Sequence, residues 1–179
     1  MTTATRFESI VMPHLDSAYN LARWITRNQQ DAEDVVQEAM LKAFRFFDAF
    51  RGTDPRPWLL AIVRNCAYTW LEKNRPAETI EFDEVTHSAD EAGRSHSPYS
   101  ESNPEVILLH GATAKLVNQA IEQLPAGYRE VIVMRELEDL SYKDIATIAG
   151  LPIGTVMSRL ARGREMLRSS LEVRIRKAS

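Results

Sequence analysis

The chain has 179 residues, enough for one domain or two small ones, and 44% of them are hydrophobic, which excludes wholesale disorder. A single cysteine, Cys66, excludes an internal disulfide and a cysteine-rich zinc site. The net charge of −3 argues against a nucleic-acid partner only until it is divided. Residues 1–73 carry nine basic and nine acidic groups, 74–105 two against eight, and 106–179 eleven against eight. The opening MTTATRFESI has no apolar signal core, and no window approaches the length of a membrane span. A soluble, cytoplasmic protein without membrane insertion is expected.

Phe7, Ile10 and Val11 open a helical pattern that Pro13 interrupts or restarts, and Leu15, Ala18, Tyr19, Ala22 and Ile25 continue it. Asn28 is a candidate N-cap, with Asp31 in the first turn where its charge suits the helix dipole. The next helix, about 29–48, has an inner stripe of Ala32, Val35, Val36, Ala39, Met40, Ala43, Phe44 and Phe47. Its outer stripe is Asp34, Gln37, Glu38, Leu41, Lys42 and Arg45, which reads first as a solvated face with a Glu38–Lys42 pair. Leu41 is the odd member, apolar on a face that the core does not need.

Gly52, Pro55 and Pro57 mark a loop, and Pro57 suits the start of a third helix running to about Asn74. Leu59, Ile62, Val63, Cys66 and Trp70 form its inner face, leaving Arg56, Arg64, Asn65, Tyr68 and Lys73 for the surface. Phe44, Phe47, Trp58 and Trp70 read as core aromatics, and Cys66 as a small core residue. Residues 77–103 are acidic, hold Gly93 and Pro98, and show little apolar periodicity, so a flexible linker is expected.

Asn103-Pro104-Glu105 is a cap, a proline and an acid, the signature of a helix start. Val106, Leu109, Thr113, Leu116, Val117, Ala120, Ile121 and Leu124 carry that helix, and Leu124-Pro125-Ala126-Gly127 breaks it. A further helix holds Val131, Ile132, Arg135 and Leu137. Two short helical patterns then sit around a corner. Ser141 is a plausible N-cap, and Ile145, Ile148 and Ala149 face a core. Gly150 is placed to end the helix in a left-handed conformation, and Pro152 suits the start of the next one. Val156 and Leu160 lie on one face of that second helix; Thr155, Ser158, Arg159 and Arg162 lie mostly on others. Apolar residues behind and hydroxyls with guanidinium groups in front is the layout of a helix-turn-helix, whose second helix enters a DNA major groove. From Tyr142 to Ser179 there are eight basic residues against three acidic, the excess that phosphate contacts require.

No catalytic constellation emerges. His14, His87, His96 and His110 are scattered, none has a ligand-spaced partner, and there is no glycine-rich phosphate loop. No metal, no cofactor and no enzymatic activity are expected.

SYKDIATIAGLPIGTVMSRLARGR resembles the promoter-reading segment of bacterial sigma factors of the extracytoplasmic-function (ECF) type. The run Gly154 to Leu160 is the most specific part, and Leu124-Pro125 and Tyr128-Arg129-Glu130-Val131 also match. DAEDVVQEAMLKAF resembles the segment with which such factors grip the clamp helices of RNA polymerase. WLLAIVRNCAYTWLEKNRP resembles the region that opens promoter DNA and reads the minus-10 element, although Thr69 and Glu72 depart from its usual acidic and basic residues.

The resemblance implies an all-α fold of two small helical domains, 1–76 and 104–179, joined by the acidic linker 77–103. It implies core RNA polymerase, promoter DNA and an anti-sigma factor as partners. Polymerase contacts would come from Asp34, Gln37, Glu38, Leu41 and Arg45. Minus-10 contacts would come from Phe50, Arg51, Arg56, Arg64, Asn65 and Tyr68, with the loop from Phe50 to Arg56 holding a flipped base. Minus-35 contacts would come from Ser141, Tyr142, Thr155, Ser158, Arg159 and Arg162. The linker would correspond to the segment that threads toward the RNA exit channel. The alternative is a stand-alone helix-turn-helix regulator with a helical sensing domain, which would bind duplex DNA unaided.

Overall fold

The computed structural model describes residues 2–76 and 104–179, with side chains described from 111 onward in the second span. The linker expected over 77–103 lies outside the described residues. All the regular structure that is described is helical.

In the first half, α1 (Thr3–Val11) is capped by Thr2, whose hydroxyl accepts from the Thr5 amide. Pro13 turns the chain through a short 3-10 segment into α2 (Leu15–Thr26). Arg27 then adopts a left-handed conformation, φ 57°, and Asn28 caps α3 (Gln29–Phe46) by accepting from the Asp31 amide. The helix expected to reach residue 48 ends at Phe46 and tightens into a 3-10 turn, Phe47–Ala49. Asp54 caps α4 (Pro55–Asn74), so that helix begins at Pro55, two residues before the expected Pro57. The earlier proline has its own N-cap, and neither proline lacks a needed amide within the first turn.

α2, α3 and α4 pack on one another around Leu21, Ile25, Val35, Ala39, Leu59, Val63 and Leu71, each 0–2% exposed. Alanines 22, 32, 39, 43 and 67 are buried at these crossings and let the helix axes approach closely. Phe47 is in the core, but Phe44 is 46% exposed. Its ring is edge-on to Phe7, with centroids 5.2 Å apart, so it lies over the rim of the core rather than inside it.

In the second half, α5 (Pro104–Glu122) is followed by α6 (Ala126–Ile132), which widens into a π-helical turn, Val133–Leu137. Ser141 caps α7 (Tyr142–Ala149) by accepting from the Asp144 amide. Gly150, φ 65°, closes α7 in the left-handed conformation that only glycine adopts without penalty, and α8 (Ile153–Ala178) follows Pro152. Val131, Met134, Ile145, Val156 and Leu160 lock α6, α7 and α8 together. The two halves are not separate bodies: α4 packs along α7, and α2 along α6, so one hydrophobic cluster runs through both.

Candidate polymerase and nucleic-acid interfaces

Asp34, Gln37, Glu38, Leu41 and Arg45 are all exposed on the outer face of α3, and Leu41 is 67% exposed. Glu38 pairs with Lys42 at 2.7 Å, and the Gln30 amide lies 3.5 Å from Asp34 Oδ1. The stripe sits away from α2 and α4, against which the opposite face of α3 is packed.

The loop after α3 is organised around Phe50. Its ring lies 4.9 Å from that of Trp58, tilted by 39°, and a Cβ on Gly52 would come within 2.8 Å of Phe50 Cε2. Glycine at 52 therefore lets the loop close over the ring. Arg51 bends back, donating from Nη1 to the Phe50 carbonyl at 3.2 Å and also to the Asp48 carbonyl.

Further along α4 the expected minus-10 residues diverge. Asn65 is exposed, but Arg56, Arg64 and Tyr68 turn toward the second half of the chain. Arg64 Nε donates to Glu130 Oε2 at 2.6 Å and Arg64 Nη2 to Glu130 Oε1 at 3.0 Å, a two-pronged pair with a carboxylate that is fully buried. Burial alone would disfavour the Arg64 charge, but hydrogen bonding and the charge of Glu130 outweigh it and hold its pKa above the ordinary value. The guanidinium also lies 4.3 Å over the Tyr68 ring. The Tyr68 hydroxyl is buried with no hydrogen-bond partner among the described residues, and that burial, reinforced by the Glu130 charge, pushes its pKa well up. Arg56 Nη2 donates to Glu138 Oε2 at 2.6 Å and to the Glu138 carbonyl at 2.8 Å, and Asn20 donates to the same carboxylate.

The recognition-helix residues divide in the same way. Ser158 and Arg162 are exposed, and Thr155 is half-buried. Ser158 donates to the Thr155 carbonyl at 3.0 Å, and Arg162 pairs with Glu165 at 2.8 Å. Arg159 points back, its Nη1 4.0 Å from Glu130, with 15% of its side chain exposed. Ser141 serves as the cap of α7, and Tyr142 is half-buried beneath Arg135, 5.0 Å from the ring centroid. Glu130 thus gathers one arginine from the expected minus-10 set and one from the expected minus-35 set.

Residues outside the expected contact sets complete this contact. Arg129, 2% exposed, donates to the Ile25 carbonyl at 3.3 Å and to the Leu124 carbonyl at 2.8 Å. Arg27 donates to the Glu122 carbonyl at 3.3 Å. The available signal was Arg129-Glu130 standing directly before the apolar run Val131 to Met134, where charge is costly unless paired. Among the described residues, no group of three or more His, Cys, Asp or Glu is placed to hold a metal ion, and no helix is long and apolar enough to cross a membrane.

Residues 10–76 match the family model "Sigma-70 region 2", and residues 114–167 match "Sigma-70, region 4". The RNA polymerase sigma-H factor of Pseudomonas aeruginosa is 34% identical over 96% of this chain and 89% of its own length. The chain belongs to the sigma-70 family. It is of the ECF type: the ECF RNA polymerase sigma-E factor of Escherichia coli is 38% identical over 82% of this chain and 77% of that one. Among solved structures, the sigma factor RpoE of Bartonella quintana in complex with the anti-sigma factor NepR superposes with a TM-score of 0.67, at 26% identity, over 94% of this chain and 98% of that one. CnrH in complex with the cytosolic domain of CnrY has the same fold, with a TM-score of 0.61 at 24% identity over 93% and 88% of the two chains. As an ECF sigma factor, this protein is a transcription initiation factor that directs RNA polymerase to promoters. The stand-alone regulator is therefore not favoured.

Proposed function

We propose that residues 1–76 bind the polymerase clamp and read and melt the minus-10 element, that 104–179 read the minus-35 element, and that 77–103 tether the two. The spans matched by the region 2 and region 4 family models support this division. The carrying observation is the α3 stripe, where Leu41 stands 67% exposed among Asp34, Gln37, Glu38 and Arg45, on a face the fold leaves uncovered. A polymerase helix lying there covers Leu41 and pairs with the polar groups around it. Minus-10 reading is assigned to Phe50, Arg51, Arg56, Arg64, Asn65 and Tyr68, with an extruded base held at the loop. Minus-35 reading is assigned to Thr155, Ser158, Arg159 and Arg162, with Ser141 and Tyr142 at the rim.

Arg56 and Arg64 cannot hold Glu138 and Glu130 and touch DNA at once, so the halves part when the minus-10 element is read. An anti-sigma factor is the expected antagonist; the RpoE relative, which is solved with one, supports this. The protein acts by binding rather than catalysis, in the cytoplasm alongside the polymerase.

The test is Asp34→Arg combined with Gln37→Ala. Both side chains are exposed, so the melting curve should stay within about 0.5 kcal/mol of wild type. Co-elution with core polymerase should be sharply weakened, because a charge is inverted and an amide partner is lost. Equal co-elution of wild type and variant would remove the stripe from the interface.

A further inference from the structure

A cleft of about 810 Å³ lies on the seam between the two halves, lined by Arg27 and Arg75 from the first and by Gln119, Glu122, Gln123 and Arg174 from the second. The three arginines come from separate elements: the end of α2, the end of α4, and α8. All three are half-buried. Arg27 Nη1 donates to the Glu122 carbonyl at 3.3 Å, and Arg75 Nη1 to the Thr26 carbonyl at 3.0 Å. Arg174 donates to Gln119 Oε1 at 3.2 Å and to Ser170 Oγ at 3.3 Å. These acceptors fix the guanidinium groups and carry no charge of their own. Among the described lining residues, Glu122 brings the one carboxylate, and it is shared with Arg23 at 3.7 Å. Arg27 also stands at the left-handed end of α2, φ 57°, a position that glycine fills without strain. A side chain kept there at a conformational cost points to a task for its guanidinium.

Three guanidinium forks around one cleft match a chain of phosphates, each of which can accept paired N–H bonds. The volume falls within the range of small-molecule sites. We propose that this cleft binds an oligophosphate, the di- or triphosphate chain of a nucleotide, and that the bound ligand clasps the two halves together. Gln119 and Gln123 add amide donors to the same ligand. Because the arginines come from both halves, separation of the halves dismantles the site. The ligand therefore binds the closed form and draws the protein toward it. That consequence rests on the reading above that the halves part when the minus-10 element is read.

The experiment titrates the full-length free protein by calorimetry, in magnesium-free buffer, with inorganic tripolyphosphate and with ATP. Each should bind one to one, and orthophosphate at the same ionic strength should bind about tenfold more weakly. Arg75→Ala and Arg174→Ala should each weaken tripolyphosphate by about tenfold, with Arg75→Lys in between. Lys143→Ala, which removes the same charge from α7 outside the cleft, should leave it unchanged. A donor–acceptor pair on α3 and α8 then reads separation as core polymerase is added with forked promoter DNA. Tripolyphosphate at ten times its Kd should raise the polymerase needed for half-separation by about tenfold in wild type, and by about twofold in Arg174→Ala at the same concentration. Tripolyphosphate that fails to bind, or that binds wild type and the three alanine variants alike, would overturn the site. Separation at the same polymerase concentration with and without bound ligand would overturn the clasp, while the parting of the halves stands. Halves that stay together on the promoter without ligand would overturn that reading, and the clasp with it.

Discussion

Glu130→Ala should force the two halves of the free protein apart. The carboxylate is fully buried and receives two hydrogen bonds from Arg64, at 2.6 and 3.0 Å, with Arg159 at 4.0 Å. Removing it leaves the Arg64 guanidinium, 17% exposed, without this counter-charge, and takes a nearby carboxylate away from Arg159. Losing one partner of a buried pair costs about 3–5 kcal/mol. That penalty need not be borne by the fold of each half. Arg64 lies on α4 and Glu130 on α6, so Arg64 regains water simply by separation of the halves. The cost is thereby transferred to the contact between them. Secondary structure should be retained while the radius measured by small-angle scattering increases, and a donor–acceptor pair placed on α3 and α8 should report a longer distance. Glu130→Gln keeps one accepting oxygen and should open the contact less. A Glu130→Ala protein with the wild-type radius and the wild-type melting curve would show that this carboxylate does not hold the halves together.

Gly163→Ala should destabilise the second half by about 1–3 kcal/mol in a thermal melt, because the added methyl would sit 2.9 Å from Ile132 Cγ1 inside the α6–α8 packing. Tyr68 titrates in the opposite sense to a paired carboxylate. Burial raises its pKa, so the closed contact is at full strength below the ordinary phenol value near 10 and weakens as pH rises beyond it. In scattering or distance measurements between pH 8 and 11, Tyr68→Phe should remain closed at pH values where the wild type opens. Arg159→Ala should change minus-35 sequence preference at a cost of about 1–3 kcal/mol if its guanidinium reads a base, whereas a uniform loss across sequences would make it a phosphate contact.

Much of this fold was legible in local signals with a direct physical cause. Asn28 and Ser141 cap the helices they were expected to cap, and Gly150 takes the left-handed conformation. Val156 and Leu160 are buried while Ser158 and Arg162 face outward, as their spacing required. What could not be read was how the halves meet. Arg56, Arg64 and Tyr68 read as surface residues because their helix positions lie off the apolar stripe of α4. Periodicity shows which side of a helix is apolar, but not that a buried glutamate from elsewhere will neutralise the polar side. Phe44 fails for a related reason: it lies in the inner stripe, yet α1 leaves it at the rim beside Phe7.

The most direct measurement is promoter-specific transcription reconstituted from purified core RNA polymerase and this protein, set beside the binding of the same duplex promoter by the protein alone. The account predicts a defined transcript that depends on both components, with weak binding by the free protein because Arg64 and Arg159 are held by Glu130. Tight, sequence-specific duplex binding by the free protein, with no transcript when core polymerase is added, would contradict it.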